Sequence, residues 1–194
     1  MVDKDLKHQK RELRNSLKAR RMLLDVGYCK ESDAEILRFL KELECYREAK
    51  VIFSYVSMPG EVDTKRFIKE ALAEGKRIAV PRCEPKGIME AYEITGLDDL
   101  EPGVWGIGEP KQQCPGILPE DIDLCVIPCI ASTSAGVRLG YGGGYYDRYL
   151  PRTDAVRVLL CRDQMICEEI PQEIHDCQMD VVITERRIIR NHKE

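Results

Sequence analysis

Apolar residues near the start of the chain recur at the spacing of a helix. Four leucines stand among strong helix formers, with no glycine or proline before Gly27, and they predict a helix over residues 4–23. These leucines are Leu6, Leu13, Leu17 and Leu24. A second helix is predicted to begin at Ser32, whose hydroxyl can cap it with Glu35 three residues later, and to run to about Ala49.

Beyond residue 50, short apolar runs alternate with amphipathic segments. A helix is predicted from Thr64 to Glu74, where Gly75 stops it. Strands are predicted at 51–56, 77–81, 124–131, 155–161, 180–184 and 187–190. The apolar run 124–131 has the character of a strand that is buried on both faces. The pattern predicts an α/β fold with three layers, in which a mostly parallel central sheet carries helices on both faces and the N-terminal helix is basic.

The middle of the chain is less regular. A strand is predicted at 88–94, and a stretch rich in glycine and proline follows from Thr95 to Pro119. A structureless loop of that length is uncommon in a compact domain, so we expect the stretch to line a site or to cover a sheet edge. Residues 132–144 are predicted as a loop, and a helix is predicted to follow it and to end at Pro151.

The composition is that of a globular protein. The chain has 194 residues, of which 43% are apolar and 33% charged, so we expect a single domain over residues 1–194 and exclude disordered and collagen-like chains. We find neither an apolar run long enough for a membrane span nor a signal-peptide pattern, and we expect a cytoplasmic protein with no membrane partner. The nine cysteines are odd in number and poorly spaced for metal ligation, which favours reduced thiols.

Positive charge is concentrated at one end of the chain. The net charge is −4, yet residues 1–21 carry eight Lys or Arg against three acids, which leaves +5 there and −9 on the remainder. The basic helix, residues 1–24, could be a solvated face, a nucleic-acid contact or a contact with nucleotide phosphates. The acidic remainder and the lack of aromatic residues among the basic ones argue against nucleic acid.

The strongest local signal is the segment Arg138–Asp147, with four glycines in five positions. Such glycines let backbone N–H groups turn toward an anion, and a following helix would add the partial positive charge of its N-terminus. Arg138 and Arg148 could add full charges. The segment matches neither GxGxxG nor the GK[ST] ending of a P-loop. A phosphate-binding loop and a flexible glycine turn therefore both stay open.

Two aspartates are candidates for binding magnesium. Asp147 directly follows the glycine segment, where a carboxylate could reach an ion that bridges phosphate oxygens. Asp180 opens a predicted strand. The simpler alternatives are that Asp147 caps a helix or pairs with an arginine, and that Asp180 is a solvated acid at a strand end.

Four blocks of this sequence, in order, resemble those of the 5-formyltetrahydrofolate cyclo-ligase family, also called 5,10-methenyltetrahydrofolate synthetase. They are Lys10–Arg14, Ser54–Thr64, Trp105–Pro110 and Arg138–Asp147. Together they cover nearly the whole chain. The resemblance implies that this α/β protein closes 5-formyltetrahydrofolate into 5,10-methenyltetrahydrofolate with ATP and Mg²⁺, releasing ADP and phosphate.

The resemblance also implies a mechanism and its residues. The formyl oxygen would attack the γ-phosphate, and N10 of the substrate would then attack the formyl carbon as phosphate departs, without a protein nucleophile. Lys10, Arg14 and Arg138 would stabilise the developing charge, and Asp147 and Asp180 would bind magnesium. We expect a monomer whose partners are ATP and a folate that can be polyglutamylated, with no nucleic acid.

Two sets of binding residues follow from the same resemblance. The implied ATP-binding residues are Lys10, Arg11, Glu12, Leu13, Arg14, Arg138, Leu139, Gly140, Tyr141, Gly142, Gly143, Gly144, Tyr145 and Tyr146. The implied folate-binding residues are Val56, Met58, Glu61, Trp105, Tyr141, Gly142, Gly143, Gly144 and Tyr145. A carboxylate such as that of Glu61 can accept paired hydrogen bonds from a pterin ring. A surface acid, or a first-turn charge of the following helix, is the simpler interpretation of Glu61.

The sequence departs from the family at a few positions. Tyr141 and Gly143 stand where many members have a basic residue, and Cys83 stands where some have an aromatic one. Backbone amides would then meet more of the phosphate charge. Two other functions stay open: a binding protein that has lost turnover, and a sugar-phosphate or acyl-transfer enzyme on a similar fold.

Overall fold

The computed structural model describes residues 2–84, 87–103 and 106–191. The helices are α1 (Val2–Met22), α2 (Val26–Glu42), α3 (Glu44–Glu48), α4 (Lys65–Ala73) and α5 (Tyr145–Tyr149). The strands are β1 (Val51–Ser54), β2 (Arg77–Glu84), β3 (Ile88–Ile94), β4 (Leu100–Pro102), β5 (Gly108–Pro110), β6 (Gly116–Ile117), β7 (Leu124–Ile127), β8 (Ala131–Thr133), β9 (Arg138–Leu139), β10 (Val156–Leu160), β11 (Ile166–Cys167), β12 (Val181–Ile183) and β13 (Ile188–Arg190). Short 3₁₀ helices lie at Leu97–Asp99, Pro119–Asp121, Leu150–Arg152 and Asp163–Met165.

Eight strands form the central sheet, in the order β13-β12-β10-β7-β1-β2-β3-β6. The five neighbours from β12 to β2 are parallel. The strands β13, β3 and β6 pair antiparallel at the two sides. Parallel neighbours require crossover connections, which bring helices onto the faces of the sheet. The predicted mostly parallel sheet is confirmed.

Both faces of this sheet are covered by helices. On one face, Leu17 of α1 and Tyr149 of α5 belong to the same apolar cluster as Phe53 of β1. On the opposite face, Phe67 of α4 lies in a second cluster with Ile52 of β1 and with residues of α2 and α3. Successive strand residues point to opposite faces, which is why neighbours 52 and 53 enter different clusters. The predicted three-layer architecture is confirmed.

The start predicted for the second helix is wrong. Helix α2 begins at Val26, and its cap is Asp25, whose carboxylate accepts a hydrogen bond from the Tyr28 N–H at 2.9 Å. Ser32 lies inside α2, where its hydroxyl donates to the Cys29 carbonyl. The predicted run to residue 49 is interrupted at Leu43, whose extended backbone separates α2 from α3.

The apolar run 124–131 also differs from its prediction. Of this run, only the part in β7 belongs to the central sheet. After Pro128 the chain enters β8, which pairs with β9 and β11 in a separate three-stranded sheet. The predicted loop 132–144 therefore contains a hairpin. In the stretch Thr95–Pro119, β6 pairs with β3 at one side of the central sheet, so this stretch does cover a sheet edge.

Each of the nine cysteines is a free thiol. Among the described residues, no helix combines the length and the apolar character needed to cross a membrane.

The core at Phe53 gives a direct test of this packing. Its side chain is fully buried and stacks on Tyr149 with ring centroids 4.9 Å apart. We expect Phe53→Ala to lower the free energy of unfolding by about 3–5 kcal/mol, measured by urea denaturation. The control Leu118→Ala, at a side chain that is 60% exposed, should change it by less than about 0.5 kcal/mol. Similar losses in both variants would contradict the assignment of the core.

Candidate active site

The glycine segment connects β9 to α5 by a turn that requires glycine. Gly142 and Gly144 have φ angles of +98° and +66°, which side-chain-bearing residues seldom adopt. A Cβ atom on Gly144 would also lie 2.7 Å from Nη1 of Arg148. The helix that follows is shorter than the sequence predicts, because its α-helical part ends at Tyr149 and continues as a 3₁₀ turn that contains Pro151. Its dipole therefore contributes less positive charge than a longer helix would.

Helix α1 lies across this segment with one face. Lys10, Arg14, Leu17 and Arg21 follow one another at intervals of four, three and four residues along the helix. Leu17 is buried in the apolar cluster. Arg14 Nε donates to the Gly140 carbonyl at 2.8 Å, and Arg21 Nη1 donates to the Tyr141 hydroxyl at 2.8 Å. Helix α1 thus contacts the glycine segment at two points.

Lys10 is buried and has two acidic partners. Its Nζ atom lies 2.8 Å from a carboxylate oxygen of Glu173 and 2.5 Å from one of Asp176. Burial lowers the pKa of Arg14, and the charges of these same two acids partly oppose that shift. Within the described residues, Glu173, Asp176 and His175 form the sole cluster of metal-ligand type, and the Lys10 ammonium already binds both of its carboxylates.

The other residues of the Lys10–Arg14 block have different surroundings. Arg11 and Glu12 are exposed and contact His8 on the same helix. Leu13 is half-buried and packs against the apolar cluster around Leu17. The structure therefore brings Arg14 to the glycine segment and Lys10 to Glu173 and Asp176, and it leaves Arg11 and Glu12 exposed to solvent.

Glu61 lies in a tight turn after β1. The Glu61 N–H donates to the Met58 carbonyl at 3.1 Å, and Gly60 between them has φ +88°. The Glu61 carboxylate accepts the Met58 N–H at 2.8 Å through one oxygen and the Tyr141 hydroxyl at 2.5 Å through the other. Only 8% of the residue is exposed. Glu61 is therefore neither a surface acid nor a first-turn charge of α4.

The charge of Glu61 is costly in this position. Burial raises the pKa of its carboxyl above the usual value, while the hydrogen bonds from Met58 and Tyr141, which stabilise the ionised form, partly oppose the shift. Burial also raises the pKa of the Tyr141 hydroxyl. The Tyr141 hydroxyl, which accepts from Arg21 and donates to Glu61, thus joins α1 to the turn.

Apolar and aromatic side chains lie beside the Glu61 turn and at the end of the glycine segment. Val56 is buried, and Met58 is half-buried beside Glu61. The ring of Tyr146 packs on Phe53 with centroids 6.3 Å apart, and Tyr145 lies against Gly143, where a Cβ atom would come within 2.7 Å of the ring. Trp105, a predicted folate contact, lies outside the described residues.

Arg138 and Asp147 form a partly buried ion pair at the two ends of the glycine segment. Arg138 Nη2 lies 3.0 Å from both carboxylate oxygens of Asp147. Asp147 also accepts the Cys177 N–H at 3.4 Å. Of the two simpler roles considered for Asp147, capping a helix and pairing with an arginine, the pairing is the one seen in this structure. Its side chain is 18% exposed, and its oxygens are the kind of ligand that Mg²⁺ prefers.

Asp180 has a different position. It precedes β12, and its carboxylate accepts the Arg157 N–H at 2.8 Å, at the start of β10. Its backbone carbonyl accepts the Asn191 N–H. Asp180 therefore lies at the amino-terminal ends of the parallel strands β10 and β12, whereas the Glu61 turn follows the carboxyl end of β1.

Sequence reasoning missed four residues that contact the predicted site. Arg21 lies on the same face of α1 as Lys10 and Arg14, so the helical period could have identified it. Arg162 follows β10, and its position after a parallel strand was a usable signal. Glu173 and Asp176 lie in the irregular segment before β12, where no pattern in the sequence distinguishes them from solvated acids.

Comparison with known proteins gives a consistent assignment. The model of the 5-formyltetrahydrofolate cyclo-ligase family matches residues 6–185. A probable 5-formyltetrahydrofolate cyclo-ligase of Schizosaccharomyces pombe is 31% identical over 173 residues, which cover 80% of this chain and 85% of that protein. The 5-formyltetrahydrofolate cyclo-ligase of Mus musculus is 30% identical over 156 residues, covering 72% of this chain and 75% of that protein.

Two solved structures share the fold. The NMR structure of Aquifex aeolicus 5,10-methenyltetrahydrofolate synthetase superposes with a TM-score of 0.84 at 29% identity, and the match covers 95% of this chain and 94% of that one. A 5,10-methenyltetrahydrofolate synthetase from Mycoplasma pneumoniae has a TM-score of 0.74 at 22% identity and covers 91% of this chain and 98% of its own. The α/β architecture is therefore that of methenyltetrahydrofolate synthetases.

The contact between Tyr141 and Glu61 can be tested by titration. Tyr141→Phe removes a hydrogen bond to the ionised carboxylate, so the pKa of Glu61 should rise further above its usual value, as measured from the ¹³C shift of its carboxyl carbon. Tyr46→Phe is a matched control, because it removes a hydroxyl that donates to Glu74 at 2.5 Å elsewhere in the fold. A Glu61 pKa that is unchanged or lower in Tyr141→Phe would contradict the contact.

Proposed function

The chain belongs to the 5-formyltetrahydrofolate cyclo-ligase family, and from that membership we propose that it closes 5-formyltetrahydrofolate into 5,10-methenyltetrahydrofolate with Mg²⁺ and ATP. It is an enzyme of the ligase class. The observation that carries the proposal is that α1 connects the glycine segment to the Glu61 turn. Arg14 donates to the Gly140 carbonyl, and Arg21 donates to the Tyr141 hydroxyl, which in turn donates to Glu61. A cationic surface and a buried carboxylate thereby belong to one site.

The proposed nucleotide side consists of α1 and the glycine segment. Arg14 and Arg138 lie at the segment, and Lys10 lies on the same face of α1. A triphosphate has the charge to compete with the carboxylates that now bind Lys10 and Arg138 and with the carbonyl that binds Arg14. Asp147 would then hold the Mg²⁺ that accompanies ATP, with Asp180 as the second proposed ligand. The magnesium ion would neutralise charge on the phosphate oxygens.

The proposed folate side is the turn around Glu61. A pterin ring presents adjacent N–H and amino donors, and an ionised carboxylate can accept both. Glu61 already accepts two hydrogen bonds in that buried position, so the pterin would replace the Tyr141 hydroxyl. Val56 and Met58 would supply apolar contacts to the flat rings, and Trp105 is proposed beside them from the family resemblance.

The proposed chemistry requires the protein to position the two substrates and to stabilise the negative charge that develops on the phosphoryl group. An N-formyl group is a weak electrophile, and hydroxide is a poor leaving group. Transfer of the γ-phosphoryl group to the formyl oxygen breaks the bond to ADP and converts that oxygen into a phosphate ester. Attack by N10 on the formyl carbon then closes the ring and breaks the bond from that carbon to the phosphate oxygen, and the N10 proton leaves with the departing phosphate. Lys10, Arg14 and Arg138 would stabilise the negative charge, as in other phosphoryl transfers.

The direct test is an absorbance assay. The purified protein is mixed with 5-formyltetrahydrofolate, Mg²⁺ and ATP, and the near-ultraviolet absorbance of the conjugated methenyl product is followed, with ATP omitted as the control. We expect an increase that depends on ATP. A flat trace from folded protein that still binds ATP would contradict the proposal and favour a binding protein.

The two sides of the site can be separated by substitution. We expect Asp147→Asn to raise the KM for Mg·ATP by about tenfold or more with little change in the KM for folate, because loss of a charged ligand costs about 1.5–3 kcal/mol. Glu61→Gln should show the reverse. As a matched control, Glu90→Gln removes an acid that pairs with Arg152 and should change neither KM. Equal losses for both substrates in Asp147→Asn would contradict the role of Asp147.

A further inference from the structure

We propose that Arg162 is a positioning residue for the folate substrate, because its guanidinium group holds the backbone of the Glu61 turn against the carboxylate of Asp33 on α2. This inference rests on the proposed function, in which Glu61 binds the pterin. Arg162 itself would not touch the substrate. It would fix the point from which the Glu61 side chain extends.

The contacts of Arg162 converge on that turn. Nη1 donates to the Gly60 carbonyl at 2.8 Å, and Nη2 donates to the Glu61 carbonyl at 2.8 Å. Only 4% of its side chain is exposed. Arg162 lies two residues after the end of β10, so these bonds tie the turn after β1 to the carboxyl end of another strand of the central sheet.

Asp33 completes the arrangement from α2. Its Oδ1 atom accepts from Arg162 Nη2 at 2.6 Å and from Nε at 3.0 Å, and its Oδ2 atom accepts the Asp63 N–H at 3.1 Å. The hydroxyl of Ser32 also lies 3.1 Å from Arg162 Nε. The ion pair therefore holds the chain on both sides of Val62, at residues 60–61 and at residue 63.

The acceptors around Arg162 require the geometry of a guanidinium group. Two carbonyls and one carboxylate oxygen approach it from different directions, and arginine has five N–H donors in one plane to meet them. Lysine keeps the charge but concentrates its three donors on one atom. Glutamine has neither the charge nor enough donors. Either substitution would leave at least one carbonyl of the turn without its hydrogen bond. The backbone of Glu61 would then no longer be held in one position.

The effect should appear on one substrate alone. Small displacements of a binding group are costly because the substrate must be held in a narrow range of positions. We expect Arg162→Gln and Arg162→Lys to raise the KM for 5-formyltetrahydrofolate by about tenfold or more, with the KM for Mg·ATP and the kcat within about threefold of wild type. Steady-state kinetics with each substrate varied in turn measures this split.

A matched control and a second variant keep the test decisive. Arg152→Gln removes an arginine that also binds a carboxylate, that of Glu90, and a backbone carbonyl, that of Met89, and it should leave both KM values unchanged. If Arg162→Gln does not fold, Asp33→Asn should give the same selective rise in the folate KM, because it weakens the partner of Arg162. Equal rises in both KM values, or a wild-type folate KM in folded Arg162→Lys, would overturn the proposal.

A measurement without substrate separates this proposal from the proposed function. If Arg162 positions Glu61, Arg162→Lys should shift the ¹³C signal of the Glu61 carboxyl carbon, although the charge at residue 162 is unchanged. An unchanged signal would overturn the positioning role. Failure of the proposed function would appear separately, as wild-type protein that forms no methenyl product.

Discussion

The docking of α1 is the interaction on which the site depends. One face of this helix places Lys10 against Glu173 and Asp176, Arg14 against the glycine segment, and Arg21 against Tyr141. Leu17 anchors the same face in the apolar core. Without α1, the glycine segment and the Glu61 turn would still be connected through the bond between Tyr141 and Glu61, but the cations beside them would be lost. The proposed ATP and folate sides therefore form one site, to which α1 supplies the cationic side chains.

The buried carboxylates of Glu61 and of Asp33, which binds Arg162 beside the Glu61 turn, lower the stability of the fold. Burial raises the pKa of both Glu61 and Asp33, so each carboxylate favours folding most when protonated. That contribution is present below the pKa of the unfolded chain and is lost as the pH rises through the higher pKa of the folded state. At neutral pH the ionised carboxylates thus lower stability, which the apolar clusters on the two faces of the sheet offset. Such a cost is common at sites where charge serves binding.

The regular parts of the fold could be predicted because they follow local rules. The leucine spacing of α1, the glycine after α4 and the apolar strands of the parallel sheet each have a physical cause in neighbouring residues. The predictions were wrong where residues far away in the sequence determine the local structure. Ser32 resembles a helix cap, yet α2 begins earlier and carries Ser32 toward Arg162, while the run 124–131 divides at Pro128. The glycine segment, Arg14 and Glu61 were identifiable from sequence motifs. The partners Glu173 and Asp176 depend on contacts between segments far apart in the chain, which no local pattern encodes, whereas the position of Arg162 after a parallel strand is a signal that the sequence does carry.

The dependence of both ligands on α1 can be measured with one substitution. Leu17→Asp places a charge at the buried position of the helix, and Leu23→Asp, at a side chain that is 85% exposed, is its control. Equilibrium binding of an ATP analogue and of 5-formyltetrahydrofolate would be compared with hydrogen exchange across the central sheet. The account predicts that Leu17→Asp weakens both ligands while the sheet keeps its protection. Loss of one ligand alone, or of neither, would contradict it.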